Sequence, residues 1–200
     1  SNMKPLTELS NIPTTPRGWL LNKYSRCEFS VGYNAMMSQA SQKWQERYFQ
    51  FGNLIHIEHL PSRNWNLVKN GKLPDWTGII LPDRNWDIGI GHVTAYSAEA
   101  ILAFRPMPHK AIAGTPKTVI NEIFSHVHSF ANNIIFQPGM VDDKSINITD
   151  DLRTNAYDHI LKIISDAGMD WDITGSVNEK GNLELKYNLY ERKGIDTILT

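Results

Sequence analysis

Residues 44–61 read WQERYFQFGNLIHIEHLP, and the break at Gly52 decides how the first half of the chain folds. Before it, an aromatic and basic cluster of Trp44, Arg47, Tyr48, Phe49 and Phe51 crowds up to the glycine. After it, Ile55 and Ile57 alternate with His56 and Glu58. Strand side chains change face at every residue, so the two isoleucines share one face and His56 and Glu58 the other. Gly52 has no Cβ and suits a positive φ. Pro61 has no amide to give to a ladder. The spacing predicts a bend at Gly52, then an edge or half-buried strand that stops at Pro61.

Working outward toward the start, Pro5, Pro13, Pro16 and Gly18 lie among polar residues and show neither helical nor strand periodicity. Residues 1–18 read as an extended arm, either strapped down on its own fold or docked on a neighbouring subunit. Ser1-Asn2 ahead of Met3 reads as a cloning remnant. Cys27, Phe29 and Val31 share the parity of a half-buried strand, while residues 34–42 fit a helical turn and a loop equally well.

On the other side of Pro61, Asn70-Gly71 is a turn signal. Trp76 to Leu81 is a short apolar run between Pro74 and Pro82, which limits it to a short strand. Trp86, Ile88 and Ile90 alternate with Asp87, Gly89 and Gly91 as one further strand ending near Val93. Gly89-Ile90-Gly91 is no dinucleotide fingerprint, because Thr94 stands where a third glycine belongs and no helix opens there. Ser97 is placed to cap a short helix reaching Phe104, with Glu99 in its first turn, where the helix dipole favours negative charge. Pro106 and Pro108 end that helix and open a connector over residues 106–114.

The second half has the stronger periodicity. Thr115-Pro116 is an N-cap followed by proline at the first helical position. Val119, Ile120, Ile123, Phe124, Val127 and Phe130 then form a helical stripe. Ile134 to Phe136 reads as a short buried strand closed by Pro138-Gly139. Thr149 or Asp150 is expected to start a second helix with the stripe Leu152, Ala156, Tyr157, Ile160, Leu161 and Ile164, and Gly168 fits a left-handed cap. Trp171, Ile173 and Val177 alternate into a turn over residues 178–182, and Leu183, Leu185, Tyr187 and Leu189 alternate out of it, as in a hairpin. The expected fold is α+β: a mainly β, barrel-like first half, then helix, strand, helix and hairpin. Its divisions are the arm at 1–18, the β part at 19–113 and the α+β part at 114–200.

Composition narrows the function. Net charge is −1 and the isoelectric point about 6.6, which gives no dense positive face for nucleic acid. No run approaches the roughly 18 apolar residues that a membrane helix needs. Cys27 is the one cysteine, so no disulfide framework exists within the chain. His56 and Glu58 share a face but His59 points away, which leaves two candidate ligands where zinc takes three or four. His126 and His128 are two apart on a helix and diverge. The doublets Asp142-Asp143 and Asp150-Asp151 lack the spacing of a calcium loop and read as caps. There is no Gly-x-Ser-x-Gly motif, and scattered loop carboxylates such as Asp75, Asp83 and Asp87 specify no reaction. No catalytic group, metal ligand or cofactor is assigned.

Of the six tryptophans, Trp44, Trp86 and Trp171 lie on periodic segments and read as core. Trp65 and Trp76 lie in an Asn-, Pro- and Gly-rich stretch. They either cover the open end of the barrel or serve as interface or ligand residues, anchoring a partner or a glycan.

The pattern of Trp44, Arg47-Tyr48, Gly52, an alternating strand and Pro61 resembles the opening strands of phage and prophage minor tail proteins of the tail-hub type, some grouped as prophage endopeptidase tail proteins. In that family a second strand, a short helix and an arginine follow, here Trp86 to Thr94, Ser97 to Leu102 and Arg105. A helix pair and a Trp-bearing hairpin come next, here Thr115 to Tyr190. The family's glycine before the short helix is replaced by Ala95-Tyr96. The resemblance implies a virion tail protein made in the bacterial cytoplasm, a ring of self-associated subunits, three in number, and other tail proteins as partners. It implies neither nucleic acid binding nor membrane insertion. Gly194-Ile195-Asp196 corresponds to the middle of a family strand region, so the resemblance implies a sequence continuing past Thr200. Two other classes stay open: a tail-associated cell-wall peptidase, whose activity in the family lies in a separate C-terminal region, and a carbohydrate-binding β module using Trp65 and Trp76.

Overall fold

A computed structural model describes residues 23–32, 49–57, 76–87, 90–130 and 134–191. Gly52 takes φ +87°, as its missing Cβ allows. Its amide donates to Ile80 O at 3.0 Å and Asn53 O accepts from Ile80 N at 2.9 Å, which fixes the bend against the neighbouring strand. Strands β1 (Arg26–Gly32), β2 (Leu54–Ile57), β3 (Trp76–Asp87) and β4 (Ile90–Ser97) form an antiparallel sheet in the order β1-β4-β3-β2. Its two faces are sorted by parity. Cys27, Phe29, Trp76, Ile80, Val93 and Ala95 build a smaller core on one face, with Ile55 and Ile57 packed against it. Ile79, Leu81 and Tyr96 face a larger core on the other. The smaller core also takes in Phe49, whose ring centroid is 5.8 Å from that of Phe29.

Three expectations for this half are corrected. Among the described residues the sheet does not close into a barrel, since β1 and β2 are its two outer strands and do not pair with each other. β3 does not stop at Pro82 but runs on to Asp87. Its register shifts between Ile80 and Arg84, so Leu81, Pro82 and Asp83 together stand opposite Thr94, and the proline falls where no ladder amide is required. Trp86 to Val93 is not one strand. Asp87 pairs with Ile90 and Trp86 with Gly91, which makes the stretch a hairpin reversal.

After β4 the chain continues with α1 (Ala100–Ala103) and β5 (Lys110–Gly114), and the second half comprises α2 (Pro116–Phe130), β6 (Phe136–Val141), β7 (Ile148–Leu152), α3 (Ala156–Ala167), β8 (Asp170–Val177) and β9 (Leu183–Tyr190). Helix α2 starts as its sequence requires, with Thr115 Oγ1 accepting from Thr118 N at 3.4 Å. Asp143 adds a second acceptor for the first turn, at 3.2 Å from Lys117 N. Val119, Ile120, Ile123, Phe124 and Val127 are all buried. Gly168 ends α3 in the left-handed region at φ +58°, and β8 and β9 form the expected hairpin.

Other boundaries move. The short helix is capped by Glu99, without a side-chain cap bond, while Ser97 closes β4 and its Oγ accepts from Ser25 N at 2.9 Å. Residues 148–152 form β7 rather than the start of a helix. Ile148, Asp150 and Leu152 turn inward at strand spacing and the strand pairs with β5, inside what reads as a connector. Helix α3 begins after Asn155, whose Oδ1 accepts from Asp158 N at 2.9 Å. β6 runs through Pro138-Gly139 rather than ending there. It lies parallel to β9 with an irregular register between Pro138 and Val141, where Asn188 Oδ1 accepts from Met140 N at 3.0 Å.

The larger core includes Ile79, Ala98, Ile101 and Leu102 from one side of residue 114 and both long helices, Trp171, Leu185 and Leu189 from the other. Full burial of each large apolar side chain stabilises by about 1.5–3 kcal/mol, so this continuous core is the main tie between the halves. A second tie is a close approach of β8 to β3. A Cβ on Gly175 would stand 2.0 Å from Thr77 Oγ1 and 2.7 Å from Thr77 Cβ. Gly175→Ala is therefore expected to destabilise by about 1–3 kcal/mol, because neither strand can shift without breaking its ladder. Urea unfolding of the two proteins measures this, and an unchanged midpoint would contradict the approach.

Candidate functional site

Asp150 and His159 form the most enclosed ionisable pair among the described residues. Strand β7 turns Asp150 inward, and His159 lies on the buried stripe of α3. His159 Nδ1 is 2.6 Å from Asp150 Oδ2, and Lys162 Nζ, one helical turn on, donates to Asp150 Oδ1 at 2.6 Å. His159 Nε2 accepts from Arg153 N at 3.0 Å and Thr154 N at 3.2 Å. A ring nitrogen that accepts carries no proton, so the proton is on Nδ1 and points at Asp150. Burial acts to raise the Asp150 carboxyl but is outweighed by hydrogen bonds from Lys162 and His159, which hold it below its ordinary 3.8. The Asp150 hydrogen bond in turn holds the Lys162 ammonium above its ordinary value. Thr154 Oγ1 is 3.3 Å from Nε2. That nitrogen also faces two amides at shorter distance, so the group pins the turn between β7 and α3, with the hydroxyl as its third and longest contact.

Glu99 is the second buried acid, with 7% exposure. From the turn before α1 its side chain crosses to β8, where Oε1 accepts from Ile173 N at 2.9 Å. Ile173 lies on the edge of β8 away from β9, so a carboxyl oxygen occupies the place of a strand partner. Oε2 is enclosed without a hydrogen-bond partner. Burial pushes this carboxyl up from its ordinary 4.5, against hydrogen bonds from Ser97 and Ile173, and the Asp172 charge pushes the same way. Desolvating an ion costs several kcal/mol. The hydrogen bonds from Ser97 and Ile173 offset part of that cost without reversing the direction.

Two further polar side chains serve the same purpose. His128 Nε2 accepts from Phe136 N at 3.0 Å, and burial holds that imidazole below its ordinary 6.5. Asn188 receives Met140 N and donates to Asp172 Oδ1 at 2.8 Å. None of these roles is visible as a motif. The one local signal is that His159 falls on an apolar helical stripe.

The residues singled out by sequence are dispersed. Trp76 is 2% exposed in the smaller core, with Nε1 donating to Ser25 Oγ at 3.2 Å, so its ring offers no face to a partner or glycan. Trp65, Trp44, Arg47, Tyr48 and Pro61 lie outside the described residues, as do Glu58, His59 and the arm. Arg105 follows α1, half-buried, and its carbonyl accepts from Ala156 N at 2.8 Å, tying α1 to α3. His56 Nδ1 lies 2.7 Å from Thr77 Oγ1, on the sheet face away from Ile55 and Ile57. Of the acidic doublets, Asp143 caps α2 as expected, whereas Asp150 is the buried acid described above. Asp142, Lys144, Gly168 and Glu191 line a shallow, open depression, where Lys144 Nζ donates to the carbonyls of Ala167 and Gly168 at 2.9 and 2.8 Å. Among the described residues no three His, Cys, Asp or Glu side chains are grouped to hold a metal, and no helix is long and apolar enough to cross a membrane. Exposed apolar side chains include Met140 at 61% and Phe51 at 59%.

No protein-family model matches this chain, and no curated protein matches it. Among solved structures it is similar to the prophage tail protein gp18 from Listeria monocytogenes EGD-e, at 10% identity and a TM-score of 0.47, over 90% of this chain and 46% of that one. It is also similar to the half-lidded Francisella PdpA-VgrG complex, at 10% identity and a TM-score of 0.41, over 86% of this chain and 26% of that one. The chain thus spans less than half the length of either.

The pinned turn has a pH signature. The folded pKa of Asp150 lies below its unfolded value, so its contribution is present above 3.8 and is lost as pH falls through the folded pKa. His128 contributes fully above 6.5, and its contribution is lost as pH falls below that. Urea midpoints are therefore expected to decline in two acid steps, the first of them absent in His128→Gln. His159→Ala is expected to cost about 2 kcal/mol or more at pH 7, from a buried carboxylate and amides left unpaired. Lys162→Ala, at a half-exposed ammonium, should cost no more than about 1 kcal/mol. Equal losses for the two variants would contradict this ranking.

Proposed function

We propose that this chain is a structural subunit of a phage or prophage tail tip or baseplate hub, acting in the virion tail by self-assembly and by docking to neighbouring tail proteins. One observation carries the reading. Glu99, His128, His159 and Asn188 are all engaged with backbone amides of strands and turns, which is the use of polar groups that keeps a scaffold in one shape. The resemblance to tail-hub proteins supports it. The bend at Gly52, Arg105 after a short helix, the helix pair and the Trp171 hairpin follow in the chain as that pattern requires. In this reading the ring is a homotrimer and the surfaces that matter are those between subunits.

Sedimentation velocity and light scattering across a wide concentration range test the proposal. The expected result is a species of three times 22.8 kDa that grows with concentration. A single 22.8 kDa species at every concentration, both alone and mixed with tail-tube and baseplate proteins of the same phage or prophage, would overturn it.

A further inference from the structure

We propose that Glu99 is a proton-operated latch between the two halves of the molecule, closing the outer edge of β8 while its carboxyl is neutral and loosening that edge when it ionises. The geometry isolates this acid. It is 7% exposed, one oxygen holds Ile173 N at 2.9 Å, and the other is enclosed without a partner. The groups facing it come from three elements: Ser97 of β4, Asp172 of β8 and Tyr157 of α3. Among the described residues the charge acting on it is that of Asp172, which has the same sign. Among the described residues no cation is placed to stabilise the ionised form, so adding a negative charge there sets burial and Asp172 against the hydrogen bonds from Ser97 and Ile173.

The consequence is local because the latch and the core are distinct. Glu99 leaves the turn before a four-residue helix and reaches a strand edge 74 positions away, whereas the helices are held by the apolar stripes of α2 and α3. The sign follows from linkage. A carboxyl whose folded pKa is raised gives its full stabilisation below the unfolded value of 4.5, and that stabilisation is lost as pH rises through the folded pKa. Opening is therefore driven by rising pH, opposite to the acid steps at Asp150 and His128. The element released is the β8 edge that also meets Thr77 through Gly175.

Amide hydrogen exchange of the full chain between pH 5 and pH 9, corrected for intrinsic rates, tests the latch at Ile173. Protection of Ile173 in the wild type is expected to fall at least tenfold with rising pH, while Ile120 and Ile123 in α2 stay constant. Glu99→Gln keeps an acceptor and cannot ionise, so its Ile173 protection should be independent of pH. Asp172→Asn removes the like charge that helps to hold the Glu99 carboxyl up and should move the midpoint to lower pH. If Glu99→Gln does not fold, the Asp172→Asn shift still decides. A flat wild-type profile, a matching pH dependence in Glu99→Gln, or an equal loss at Ile120 and Ile123 would overturn the proposal.

Discussion

The structure depends on how the outer edge of β8 is closed. Every strand edge presents amides that need acceptors, and an edge buried against another layer cannot take them from water. A neighbouring strand would be the usual answer, but β8 is the last strand of its sheet. The chain supplies a carboxyl from Glu99 at Ile173 and brings the Thr77 side chain over Gly175. Because these two contacts come from the first half and land on the second, the same groups that close the edge also set how the halves meet. Apolar packing around Ile79, Ile101 and Trp171 provides most of the stabilisation, yet it is non-directional. The polar contacts choose one arrangement of the layers among those that would bury similar area.

Much of the local architecture is legible in the sequence, and what is not has a common cause. The helix after Pro116, the left-handed Gly168, the bend at Gly52 and the hairpin from Trp171 follow from signals within a few residues. β5 is hard to see because Ile112 is its single buried side chain and the segment follows two prolines. Ile-Thr-Asp-Asp-Leu looks like a cap and a first turn, but Asp150 turns inward because His159 and Lys162 hydrogen-bond its two oxygens, and both lie on the next helix. β3 passes Pro82 because its irregular register removes the demand for an amide there, whereas Pro138 stays paired with Tyr187 on an outer strand, and Asn188 supplies the acceptor that β6 needs just beyond it. Openness of the first sheet is a property of its two outer strands together, which no window of sequence contains. The Glu99–Ile173 contact, spanning 74 positions, leaves no periodic trace at all.

The Asp150–His159 pair shows why a constellation has to be read to its last atom. A carboxylate on one imidazole nitrogen, with a threonine hydroxyl 3.3 Å from the other, is the outline of a general-base arrangement. Its chemistry hangs on the Nε2 lone pair. Two backbone amides at 3.0 and 3.2 Å share that lone pair, and withdrawing it to take a proton from Thr154 would leave both without their acceptor. Enclosure strengthens the objection, since the same low dielectric that favours the Asp150 hydrogen bond raises the cost of each unpaired amide. The imidazole is therefore used as a fixed acceptor, as His128 is at Phe136 and Glu99 is at Ile173. Three ionisable groups of two chemical kinds have been given one task, and that task is completing a backbone that the strands alone leave open.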